Sequence, residues 1–158
     1  PDDAVLVAID IAKHKNAVLV ERPGSPRRRI LTVINSRAEH DRLIDELAGY
    51  GCKIVCGFEA TGNYHRPLGW RLIEAGFDVR LVSSLALART REALHGGWDK
   101  NDPKDAQVIL HMLKIGAAHV ALRDQGKAIL AASGLAIVPA DDLGDAARKI
   151  VAEVKKAA

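Results

Sequence analysis

Apolar positions along the chain fall into short blocks of two periods. Ala4 to Asp10 (AVLVAID) is an apolar run ending in a carboxylate, the pattern of a strand buried on both faces. Lys13 to Asn16 is a polar turn, and Ala17 to Glu21 (AVLVE) is a second strand. Pro23-Gly24-Ser25-Pro26 signals a turn before a third strand over Arg29 to Ile34, so strands one to three read as an antiparallel meander. Ser36 then caps a helix, with Glu39 as its capping-box partner. Leu43, Ile44 and Leu47 keep helical spacing in it, and Gly49 and Gly51 end it. Cys52 to Phe58 is a fourth strand that delivers Glu59 at its carboxyl end. Ala60-Thr61-Gly62-Asn63 turns the chain into a helix over about Tyr64 to Ala75, closed by Gly76. Asp78 to Val82 is a fifth strand, and Ser83 opens a helical stretch with Leu85, Leu87 and Leu94, broken at Gly96-Gly97. Asp102 is placed to cap a strongly apolar helix through Val108, Ile109, Met112 and Leu113, with Pro103 at its first helical position and Gly116 as its stop. After Val120 the pattern weakens into Ala-rich helix formers over 121–132 and 143–157, interrupted by Ser133-Gly134 and Pro139. The reading is one domain over 1–120 and a short helical extension over 121–158, with no internal repeat.

Three meander strands, a helix, then strand–helix–strand–helix is the element order of the ribonuclease H-like fold. The expectation is therefore an α/β domain with a mixed five-stranded sheet flanked by helices. That fold places acids at the ends of its first and fourth strands and on a late helix, and this chain has Asp10, Glu59 and the pair Asp102/Asp105 there. Residues three apart lie on one helical face, so Asp102 and Asp105 can serve one site. Carboxylate oxygens are the ligands that Mg²⁺ prefers. Clustered carboxylates repel unless cations intervene, and a pair of ions about 3.5–4 Å apart suits phosphodiester chemistry. Taken singly, each acid has a plainer reading: Asp102 as a helix cap, Asp10 as a strand-end acid on a solvated rim, Glu59 as a loop residue. Four acids at the four positions of one fold make the joint reading the stronger.

Composition narrows the classes further. The chain has 158 residues, 48% of them hydrophobic and 27% charged, which is globular and not the makeup of a disordered tail. No apolar run reaches the roughly 18 residues that span a bilayer, and the acidic start Pro1-Asp2-Asp3 is unlike a secretory signal, so the expected compartment is the cytoplasm. The formal net charge is +3, and basic residues exceed acidic ones by one in each of 1–58, 59–120 and 121–158. A nucleic-acid partner is permitted by this balance and not demanded by it. Two cysteines, Cys52 and Cys56, give no disulfide framework or zinc site; four apart on a predicted strand, they read as small buried hydrophobes.

The wording of three stretches adds a family. AIDIAKHKNAVLV, GFEATGNYHRPLGWRLIEAGFDVRLV and KNDPKDAQVIL closely resemble the N-terminal domain of the DEDD-type transposases of insertion sequences, the group that includes the pilin-gene invertases and the bridge-RNA-guided recombinases. The resemblance runs from about Val5 to Val120, and its E-A-T-G-N-Y and N-D-P-K-D-A blocks are specific strings. It implies a RuvC-like domain whose four acids, catalytic and metal-binding, fall on Asp10, Glu59, Asp102 and Asp105. It implies Mg²⁺, with Mn²⁺ as the alternative ion, and cutting and rejoining of DNA in insertion, excision or inversion of a mobile element. It further implies DNA as partner, a guide RNA in some members, a homo-oligomer at full length, and no membrane. Family members continue into a second domain carrying a nucleophilic serine. Residues 121–158 do not match it, and Ser133 has no claim to that role. The expectation is a domain that folds and binds metal and does not recombine DNA alone.

Other residues carry paired readings. Lys13 and Lys15, with His14, either touch the nucleic-acid backbone beside Asp10 or merely solvate a hairpin turn. Arg27 and Arg28, with Arg29, either grip phosphates or form a solvated face. Arg89, Arg91, Lys100 and Lys104 flank the Asp102/Asp105 pair and are candidates to neutralise phosphates. Asn63, Tyr64 and His65 either buttress the acids, or Asn63 caps a helix and Tyr64 packs on the sheet. Trp70 and Trp98 read as packing residues. Two functional alternatives stand beside the transposase reading. One is a non-catalytic nucleic-acid-binding or dimerisation module. The other is an actin-like ATPase half, which lacks its glycine-rich phosphate turn here.

Overall fold

The structure is a computed structural model, and it describes residues 3–25, 27–60, 62–94, 103–118, 120, 121 and 149. The chain divides into two compact units, Pro1–Leu122 and Arg123–Ala158. Of the second, only Lys149, a helical residue, is described. In the first unit the elements run β1 (Val5–Asp10), β2 (Lys15–Glu21), β3 (Arg28–Ile34), α1 (Arg37–Ala48), β4 (Ile54–Glu59), α2 (His65–Glu74), β5 (Asp78–Val82), α3 (Ser84–Ala93), α4 (Lys104–Lys114) and β6 (Val120–Ala121). The described strands form one sheet in the order β3-β2-β1-β4-β5-β6. The meander β1–β2–β3 is antiparallel, β1, β4 and β5 are mutually parallel, and β6 returns antiparallel to β5. This is the mixed α/β sheet that the sequence predicts, with six strands among the described residues where the sequence shows five. The extra strand has two residues, too short to leave a period-two signature.

Side-chain alternation divides the core into two layers. Val5, Val7 and Ile9 of β1 and Ile54, Cys56 and Phe58 of β4 bury against Leu43 and Leu47 of α1 and Leu68 and Leu72 of α2. The alternate residues Leu6 and Ala8 of β1 and Val55 of β4 face the other way, onto Leu87 of α3 and Ile109, Met112 and Leu113 of α4. Helix α4 is buried nearly all round, from Ala106 through Leu113 apart from His111. That matches a sequence apolar on every side rather than along one stripe.

Local chemistry sets the helix ends. Ser36 Oγ accepts from the Glu39 amide and Ser83 Oγ from the Ala86 amide, as N-caps should. Gly76, with φ of 82°, closes α2 in the left-handed region.

Several boundaries and packing readings differ. Lys15 and Asn16 belong to β2 rather than to the turn, because Lys15 and Asn16 pair with Ile34 and Val33. Strand β4 starts at Ile54, leaving Cys52 exposed and outside it; only Cys56 is buried. Pro103 sits at the N-cap position of α4, not inside the helix, since its ψ of 117° is not helical. Tyr64 and Trp70 are exposed, at 46% and 62%, and do not pack on the sheet. Tyr64 takes the N-cap position of α2 without a side-chain cap bond, so Asn63 does not cap that helix. The breaks at Gly96-Gly97, the cap Asp102, Trp98 and the two helices expected over 121–158 lie outside the described residues, except Ala121, which belongs to β6 and not to a helix, and Lys149, which is helical.

One close approach sets the position of α4. Ala8 pairs with Gly57 across β1 and β4. A Cβ on Gly57 would lie 2.8 Å from Leu113 Cδ2 and 2.9 Å from its Cδ1. Leu113 is fully buried, so it has no open space to yield into. Gly57→Ala is expected to destabilise the protein by about 1–3 kcal/mol, as overpacking does, seen as a lower melting temperature. In a Leu113→Ala background the added penalty should vanish, because the clash has lost its partner. Equal penalties in both backgrounds would contradict this packing.

Candidate metal centre

The period of two within the strands aims two carboxylates at the same place. Asp10 follows Leu6 and Ala8 on the α4-facing side of β1, and Glu59 follows Val55 and Gly57 on that side of β4. The parallel register pairs Ile9 with Phe58, so Asp10 and Glu59 end neighbouring strands side by side. Both are half-buried. Helix α4 supplies the third acid. Asp105 sits in its first turn, where a carboxylate also suits the positive end of the helix dipole.

Asp10 registers this company. Its carboxyl is held above the usual range, first by burial, then by the negative charges of Asp105 and Glu59; Arg91 pulls the other way. Arg91 lies one turn beyond the buried Leu87 of α3 and reaches Asp105, with Nη2 2.5 Å from Oδ1. Among the described residues, no three His, Cys, Asp or Glu side chains close round a common point tightly enough to hold an ion. Asp102 lies outside the described residues, so the four acids expected from sequence are represented here by three. The donor set is all carboxylate oxygen, the chemistry that fits Mg²⁺ or Mn²⁺ and poorly suits soft metals.

The turn after Asp10 is held by Asn16, which the sequence reads only as part of that turn, and by Asn35. Asn16, 1% exposed, accepts from the Ala12 amide at 3.0 Å. Asn35 donates from Nδ2 to the Lys13 carbonyl at 3.3 Å, and its amide bonds the His14 carbonyl at 2.8 Å. These bonds fix the segment that carries Lys13 and Lys15, both exposed at the Asp10 end of the sheet. An Asn flanking a short polar turn was the available signal. Beyond Glu59, Gly62 has φ of 54°, a conformation that glycine adopts freely. His65 is buried with its ring centroid 5.8 Å from that of Phe58.

The basic candidates do not form one group. Lys104 is exposed in the first turn of α4 beside Asp105, Arg89 is exposed on α3, and Arg91 pairs with Asp105. Arg27 and Arg28 lie at the opposite end of the sheet, where β1 begins: Leu6 pairs with Glu21, and Glu21 pairs with Arg28. Arg28 Nε also bonds Glu21 Oε2 at 3.1 Å, and Lys114 Nζ lies 2.6 Å from Glu21 Oε1. Lys100 is outside the described residues. Cys56, wholly buried, has its thiol pushed well up by burial, which keeps it inert.

The sign of the Asp10 shift gives a stability test. A carboxyl raised in the folded chain takes its proton more readily there than in the unfolded chain. Its ionisation therefore weighs against the fold once pH rises through the raised value, and this penalty fades as pH falls toward the usual carboxylate range. At neutral pH, Asp10→Asn should leave the melting temperature unchanged or raise it, with the difference shrinking in acid. A clear fall at neutral pH would contradict the charge crowding.

Among the described residues no helix is long and apolar enough to cross a membrane. Comparison with known proteins gives three results. Among solved structures the chain is similar to T. thermophilus RuvC in complex with a Holliday junction substrate, at 17% identity and a TM-score of 0.46, covering 72% of this chain and 94% of that one. It is also similar to YeaZ from Pseudomonas aeruginosa, at 17% identity and a TM-score of 0.36, over 58% of this chain and 49% of that one. Among curated proteins, 35 residues are 83% identical to the ADP-forming succinate–CoA ligase subunit beta of Erythrobacter litoralis, which is 22% of this chain and 9% of that subunit. The same subunit of Rhizorhabdus wittichii matches 34 residues at 85%, 22% of this chain and 8% of the subunit. The chain thus spans about a tenth of the ligase subunits it matches. The family model for DEDD transposases of the IS110 type matches residues 7–133, a span that contains Asp10, Glu59, Asp102 and Asp105. On that match, over most of its length, the chain belongs to the DEDD transposase family.

Proposed function

We propose that the first unit is the metal-dependent catalytic domain of a DNA transposase, acting on phosphodiester bonds through Asp10, Glu59, Asp102 and Asp105. One observation carries this: Asp10, Glu59 and Asp105 come from three separate elements to one end and one face of the sheet, near enough that Asp10 responds to both others. A structural role alone gives no reason to gather like charges around Asp10 that hold its carboxyl above the usual range. The chemistry that a bound Mg²⁺ supplies there is polarisation of the phosphodiester and stabilisation of the leaving oxygen. The chain's own part is to hold the carboxylates on rigid strand ends and a buried helix, and to offer cations to the DNA backbone. Lys13, Lys15, Arg89 and Lys104 are the candidates on this side of the molecule, with Lys100 adjoining them in sequence. The expected setting is the cytoplasm, with DNA as the partner. A guide RNA and a homo-oligomer belong to the full-length family pattern. Residues 121–158 lack the family's serine-bearing motifs, so these 158 residues by themselves are expected not to exchange strands.

We infer further that the ligase-like stretch lies in Arg123–Ala158. That unit has the length of the match, and residues from 121 onward lack the family's second-domain motifs. The DNA chemistry then resides in the first unit, beside a segment of other ancestry.

A gel shift on four-way branched DNA tests both statements. Binding should strengthen with Mg²⁺ and weaken steeply with salt, and Asp10→Asn should remove the Mg²⁺ dependence. Deleting 123–158 should leave that dependence unchanged. Binding by the wild type that ignores Mg²⁺ would favour the non-catalytic binding module. Loss of the Mg²⁺ dependence on deletion, with the first unit still folded by circular dichroism, would contradict the assignment of the tail.

A further inference from the structure

The acidic end of the sheet contains its own cation. Leu87, 3% exposed, seats α3 against α4, and Arg91 lies four residues on, hence on the same helical face. Its guanidinium Nη2 stands 2.5 Å from Asp105 Oδ1, a contact between a side chain on α3 and the first turn of α4. The pair is half-open to solvent, at 43% and 39% side-chain exposure, so it can part without unfolding either helix. The charge of Arg91 reaches Asp10 as well. A guanidinium and a divalent ion need the same carboxylate oxygens, and both cannot take Asp105 Oδ1 in the same geometry.

We propose that Arg91 is a displaceable counter-cation of the metal centre, holding Asp105 by an ion pair that a divalent ion must break. This rests on the metal-centre reading above. Arg91 is then a positioning residue. It relieves the carboxylate repulsion and keeps Asp105 at the mouth of the site. When released, it presents a permanently charged, planar donor beside the position of the DNA phosphate. It also accounts for the failure of the three described acids to close round a common point: one of them is turned to Arg91.

Mn²⁺ titration of the full chain by calorimetry, on wild type, Arg91→Gln and Arg91→Lys, tests it without any activity assay. Arg91→Gln should bind Mn²⁺ about two- to fivefold more tightly, the scale of a part-exposed ion pair. Arg91→Lys, which keeps the charge, should stay near wild type. The Arg91→Gln protein should also melt lower than wild type without metal, and regain more on Mn²⁺ addition. Mn²⁺ binding by Arg91→Gln alone would likewise support the proposal. Wild-type binding with equal or weaker binding in Arg91→Gln would overturn the role of Arg91 and leave the metal centre standing. No Mn²⁺ binding by wild type or Arg91→Gln would overturn both. Circular dichroism of the variants separates these outcomes from misfolding, and Arg91→Lys supplies the conservative control should Arg91→Gln fail to fold.

Discussion

Helix α4 can lie close against the sheet because Ala8 and Gly57 put no bulk beneath it. Their pairing across β1 and β4 makes a shallow place in a sheet surface otherwise built of Leu and Val, and Leu113 fills it. The candidate centre depends on that contact. Asp10 and Glu59 sit two residues beyond Ala8 and Gly57 on the same face, and Asp105 sits two turns before Leu113 on the helix. The position of the packing end of α4 thus sets that of its acidic end. A buried helix on a rigid sheet holds a carboxylate more firmly than a loop does, and phosphoryl chemistry on metal ions depends on that firmness.

The same arrangement brings an electrostatic load. Three acids share one end of the sheet, and the consequence is visible at Asp10, whose carboxyl resists ionisation. Within the described structure the compensating charge comes from Arg91 rather than from the more exposed Lys13, Lys15 or Lys104. Arginine suits this part because it stays charged at any working pH and can grip one carboxylate oxygen while part of the fork remains in water. The opposite end of the sheet has a separate ion-pair cluster, Glu21 with Arg28 and Lys114, which joins β2, β3 and α4. Because that cluster engages Arg28, the basic run at the β2–β3 turn differs in kind from the lysines near Asp10.

Much of this was legible in the residues. The apolar runs ending at Asp10 and Glu59 predicted strands with acids at their carboxyl ends, and Ser36 and Ser83 gave their caps by local chemistry. What sequence misjudged was set by tertiary contact. Cys52 looked like the start of a strand because the apolar run Ile54–Phe58 begins two residues on, yet pairing starts at Ile54. Trp70 looked like core, yet it falls on the outward side of α2. The pairing of Arg91 with Asp105 joins residues 14 apart on two different helices, and no helical period could show it. The stretch from 121 was legible only as a weakening of the apolar pattern, and the likeness of some 35 residues of the chain to a ligase subunit came from comparison.

A thermal melt of the full chain with and without Mg²⁺, on wild type and on Glu59→Gln, tests the central claim most directly. An ion that binds only the folded chain must raise its melting temperature. The account requires a rise in wild type that Glu59→Gln loses or greatly reduces. A wild-type melting temperature indifferent to Mg²⁺, or an equal rise in the variant, would contradict a metal centre built on the ends of β1, β4 and α4.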